Sequence, residues 1–144
     1  MKSLSGLVTV VLVLLFSGCE QNKFTQCEQI FRIARGVTQT SKDVSYSQDA
    51  ELTQMKIWLE TASTMNRAAD KILALHINDS ELIGYQNQLA TIYRIYSQAT
   101  YDAVAARENQ SLSALETART DAQKAGVMQQ DLIEEINAYC LNNL

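Results

Sequence analysis

Apolar side chains recur along most of this chain at alternating spacings of three and four, the repeat that lays one stripe along an α-helix. The first such segment runs from about Phe24 to Ser41, with Cys27, Ile30, Ala34 and Val37 in the stripe and Phe31 and Ile33 widening it. Lys42 to Ser47 breaks the pattern, and Ser47 or Asp49 is placed to cap the next helix. The second segment, about Ala50 to His76, carries Leu52, Met55, Leu59, Ala62, Asn66, Ala69, Leu73 and His76 in the stripe, with Trp58, Met65 and Ile72 every seventh residue beside it. Asn78-Asp79-Ser80 reads as a turn, with Asp79 or Ser80 as N-cap. The third segment holds Leu82, Tyr85, Leu89, Ile92, Tyr96, Ala99, Ala103 and Ala106 in register until Arg107-Glu108-Asn109-Gln110 ends it. The fourth, about Ser111 to Cys140, places Leu115, Ala118, Ala122, Ala125, Gln129, Leu132, Ile136 and Tyr139 in the stripe, with Ile133 alongside.

Four amphipathic segments with short connections predict an all-α fold, an up-down-up-down four-helix bundle over residues 24–144. The absence of proline and the presence of only 5 glycines in 144 residues argue against a turn-rich β fold. Hydrophobic residues make up 47% and charged ones 19%, as in a globular domain. The small residues in the middle of the fourth segment allow a neighbouring helix to approach closely, and Gly126 is expected to mark a bend. Asn66, in the stripe of the second segment, is expected to fix register through a buried hydrogen bond.

Ahead of the bundle, Lys2 supplies a positive charge and Leu4 to Phe16 is an apolar run broken by Ser5, Gly6 and Thr9, the layout of a signal peptide. It is too short for a membrane span, which needs roughly 20 apolar residues. The run ends in Phe16-Ser17-Gly18-Cys19, which resembles the lipobox of bacterial lipoproteins: Ser17, Gly18 and Cys19 match, while Phe16 stands where an aliphatic residue is usual. The resemblance implies that residues 1–18 are removed as a lipoprotein signal peptide and that Cys19 carries covalent lipid. Residues 19–23 then form a lipidated tether, four residues of which extend at most about 14 Å at roughly 3.5 Å each. The expected location is the bacterial cell envelope, facing the periplasm or exterior. In bare architecture the chain is also similar to small lipidated helical-bundle subunits of cyanobacterial photosystem complexes, and to uncharacterised cyanobacterial lipoproteins. No functional residue carries across from either. An ordinary secreted protein with a cysteine near its cleavage site is the plainer alternative.

Of the 3 cysteines, two remain after Cys19. Cys27 falls in the first turn of the first helix and Cys140 in the last turn of the fourth, which the bundle brings to one end, so a Cys27–Cys140 disulfide is expected in an oxidising compartment. Two buried thiols, or a metal site, are the alternatives. The metal reading is poorly served, because there is no Cys-x-x-Cys and His76 is the only histidine. The tether and the pairing together place the disulfide end, with the turn around Asn78, toward the membrane. Lys42 to Gln48 and Arg107 to Gln110 then form the far tip, about 40 Å out at 1.5 Å per residue.

Candidate chemistry changes this picture little. A net charge of −4, one unit more negative still once Lys2 leaves with the signal, disfavours nucleic acid as a partner. His76 is expected to complement the end of the second helix. No Glu-x-x-His pair, carboxylate dyad or glycine-rich phosphate loop is present; Glu134 and Glu135 are adjacent on a solvated face. Asn78-Asp79-Ser80 and Asn109-Gln110-Ser111 match a glycosylation acceptor pattern and are read as helix-capping turns. Tyr93 and Tyr101 lie off the stripe and Tyr46 in the first loop, which makes them either rim of the core or candidate partner-binding residues. The expected function is a non-catalytic protein-interaction or assembly module, held to a membrane through its lipid, with a protein partner, no cofactor and no metal. The alternatives are a small-ligand or metal-binding bundle, using space beside Ala118, Ala122 and Ala125, and a secreted enzyme.

Overall fold

The structure, a computed structural model, describes residues 22–45 and 51–141, with side chains at 22–37 and 54–141. Cys19 and Tyr46 lie outside the described residues. The described chain enters its first helix at Asn22, whose side-chain oxygen accepts hydrogen bonds from the backbone N–H and the hydroxyl of Thr25, each 2.9 Å long. That satisfies one of the orphan donors of a helix start. Helix α1 then runs over Lys23–Ser45, α2 over Glu51–Leu73, α3 over Ser80–Glu108 and α4 over Leu112–Leu141. Among the described residues there is no strand, so the fold is all-α.

Helix α3 is central. It packs along α2 on one side and α4 on the other, while α1 lies mainly on α2 and touches α3 and α4 more lightly. Leu82, Tyr85, Leu89, Ile92, Ala99 and Ala106 of the predicted stripe are all buried. Ile30 of α1, Ile72 of α2, Leu82 and Ile92 of α3 and Ile136 of α4 are the largest fully covered apolar side chains. Each contributes roughly 1.5–3 kcal/mol through its removal from water. On α4, Ala118, Ala125, Leu132, Ile136 and Cys140 are buried. Beside Ala125, a methyl group on Gly126 would sit 3.2 Å from the Tyr96 hydroxyl, so the missing side chain there lets α3 and α4 close together.

Three expectations need correction. The residues from Lys42 to Ser45 continue α1 rather than breaking it. On α2 the buried face is turned by about one residue: Ala62, Ala68, Ala69 and Ile72 are covered, whereas Leu59, Asn66 and Leu73 are exposed. Asn66 therefore does not supply a buried register bond. Finally α2 stops at Leu73, so His76 is an exposed loop residue, and Lys71 occupies the last turn where a cation complements the helix end.

Candidate functional site at the disulfide end

The start of α1, the end of α2, the start of α3 and the end of α4 meet at one end of the molecule, joined by covalent, polar and aromatic contacts. Cys27 and Cys140 form a disulfide with Cα atoms 6.2 Å apart. This is the pairing expected from the sequence, and both cysteines are buried.

Gln26, next to Cys27 and 2% exposed, reaches into the α2–α3 loop, where its side-chain oxygen accepts the backbone N–H of Asn78 at 2.9 Å and of Asp79 at 3.2 Å. From α3, the buried Gln86 amide donates to the carbonyls of Ile72 at 2.6 Å and Leu75 at 3.0 Å. The same two carbonyls also accept the backbone N–H groups of Leu75 and Ile77, each at 3.1 Å, so the amide reinforces the tight ending of α2. Two glutamines thus tie a loop whose own backbone bonding is sparse.

Asp79 is the N-cap of α3, accepting from the N–H groups of Glu81 and Leu82. The same carboxylate accepts the Tyr139 hydroxyl of α4, whose oxygen lies 3.0 and 2.9 Å from the two carboxylate oxygens. Desolvation alone would raise the Asp79 carboxyl. The Leu82 amide, the Tyr139 hydroxyl, the Glu81 amide and the charge of Lys23 together hold it below its ordinary value of 3.8. Donation to Asp79, and then desolvation, push the Tyr139 phenol upward. Its ring meets Tyr85 edge-on at 5.8 Å between centroids, and the Lys23 ammonium sits 3.6 Å from its centroid. Such a cation–π contact is worth about 0.5–1 kcal/mol near solvent.

This constellation binds four helix ends to one another and presents no nucleophile paired with a base. Among the described residues no group of three or more His, Cys, Asp or Glu side chains is placed to hold a metal, and no helix is long and apolar enough to cross a membrane. Of the candidate partner tyrosines, Tyr93 is 2% exposed within the core, where desolvation raises its phenol to about 12. It is a packing residue with no surface to offer. Tyr101, 38% exposed on α3, remains accessible. Of the alanines named for an internal ligand, Ala125 is fully buried and Ala122 half-buried, while Ala118 borders a surface groove of about 550 Å³ between the far ends of α3 and α4.

Stripe arithmetic missed Gln26, Gln86 and Lys23, because a polar side chain that bonds a distant backbone leaves no periodic mark. Compared with family models, with curated proteins and with solved structures, the chain matches none.

Proposed function

We propose that this protein is a bacterial lipoprotein whose up-down-up-down four-helix bundle acts as a non-catalytic interaction or assembly module, held on the outer face of a membrane by lipid on Cys19. The observation that carries this reading is the cysteine pairing. With Cys27 and Cys140 joined, Cys19 is the one remaining cysteine of the 3, and it comes after an apolar run and two small residues. A disulfide of this kind belongs to exported proteins, which agrees with a leader that directs export. Helix α1 begins at Lys23, so few residues separate the lipidated position from the folded part. The disulfide end then faces the bilayer, and the α3–α4 turn and the accessible Tyr101 face a partner.

Replacing Cys19 with serine is expected to move the protein from the membrane to the soluble fraction and to remove the mass of attached lipid. Retention on membranes by the Cys19→Ser chain would overturn the anchor. For the module, crosslinking from residue 101 in intact cells is expected to yield one stoichiometric adduct, and a product confined to lipid would count against a protein partner.

A further inference from the structure

Between α1 and α2 lies a groove of about 450 Å³ whose character differs from that of the chain as a whole. The protein carries a net charge of −4, yet among the described residues that line this groove are Arg32, Arg67 and Lys71, and none of those lining residues is acidic. The acid nearest Lys71 on α2, Asp70, is engaged by Arg94 of α3 at 3.2 Å. Among the described residues no carboxylate pairs with any of the three groove cations. Arg67 and Lys71 are one helical turn apart on the same face, a like-charge spacing that costs an isolated helix a few tenths of a kcal/mol.

The groove is also arranged. The Arg67 guanidinium donates to Ser63 Oγ at 2.7 Å and Thr64 Oγ1 at 3.0 Å, which fixes the fork on α2 while leaving three of its five donors. The buried Val37 and Ala68, with the half-buried Ile33, make an apolar floor beside the cations. Gly36 opens onto the same space, because a methyl group built there meets no described atom within 4 Å.

We propose that this groove binds a small amphipathic anion, a phosphomonoester carrying a short apolar tail. The phosphate sits among Arg32, Arg67 and Lys71, and the tail lies on Ile33, Val37 and Ala68. A dianionic headgroup suits three cations gathered along one groove better than a carboxylate, and the Arg67 fork matches phosphate oxygens in pairs. The assignment is independent of the lipid on Cys19.

The test is titration of the full chain with hexyl phosphate, with inorganic phosphate and hexanol as separate arms, followed through the arginine side-chain NMR signals. Hexyl phosphate is expected to saturate, to perturb Arg32 and Arg67, and to bind at least tenfold more tightly than inorganic phosphate. Arg32→Gln and Lys71→Gln are each expected to weaken it at least tenfold, and Gly36→Leu to block it by filling the groove. Arg119→Gln, on α4, is expected to leave it unchanged. All of these positions are exposed, so the variants should keep the parent's circular dichroism. Equal affinity for hexyl phosphate and inorganic phosphate would overturn the amphiphile in favour of free phosphate. Binding unaltered by the α1 and α2 substitutions would overturn the location, and no saturable binding would overturn the site.

Discussion

Asp79 does at one carboxylate what usually takes two residues: it caps α3 and ties down α4 through Tyr139. Its pKa is depressed on folding, so its contribution is present above the ordinary carboxylate value of 3.8 and is lost as pH falls through the folded value. A protonated carboxyl accepts more weakly than a carboxylate. Tyr139→Phe is therefore expected to cost about 1.5 kcal/mol at neutral pH, the lower end of the range for a hydrogen bond to a charged group, because the pair is only partly buried. In urea unfolding the gap between parent and variant should narrow at pH 2.5. A gap of equal size at both pH values would mean that the hydroxyl acts through packing alone. Tyr93 shows the opposite use of a phenol: it contributes burial within the core, where desolvation, and then the neighbouring Tyr96, push its phenol upward.

At the scale of the element, the α3–α4 turn ends a helix without the residue that such an ending favours. The N–H of Ser111 bonds the carbonyl of Ala106 at 2.8 Å and that of Gln110 bonds Arg107 at 3.1 Å, the paired closure of a Schellman motif. Gln110 occupies its left-handed position with φ of 53°. A side chain there costs about 1–2 kcal/mol, offset in part by the entropy a glycine would lose on folding. Gln110→Gly is accordingly expected to stabilise the fold by about 1 kcal/mol and to raise the thermal midpoint; a lowered midpoint would refute the strain. The helices themselves are largely legible in the sequence, and α3 most of all, because a helix covered on both sides keeps its stripe in phase with its core. On α2 the spacing is out by about one residue's rotation. Leu59 and Leu73 satisfy the three-four spacing as well as Met65 and Ile72 do, and spacing alone does not say on which side of a stripe the neighbours stand. The end of α2 is hidden for a different reason: Gln86, fourteen residues after Ile72, takes up the carbonyl there, and no local pattern records that.

For the molecule as a whole, the disulfide end is legible where it rests on covalent chemistry and illegible where it rests on long-range amides. Cys27 and Cys140 are readable because cysteines are few and lie at helix ends; Gln26 is hidden among ordinary polar residues. Closing a loop with 113 residues of separation restricts the unfolded chain by about 4.7 kcal/mol on the chain-entropy model. Reduction is expected to lower stability by roughly that amount, read as a shift of the denaturant midpoint in the presence of dithiothreitol, and an unmoved midpoint would contradict it. The same bond makes a covalent ring of nearly the whole folded chain. A protease that severs one peptide bond anywhere between Cys27 and Cys140 yields two fragments that still migrate together and separate only after reduction. Nicking alone would therefore not shed the rest of the domain from whatever holds its first residues in place.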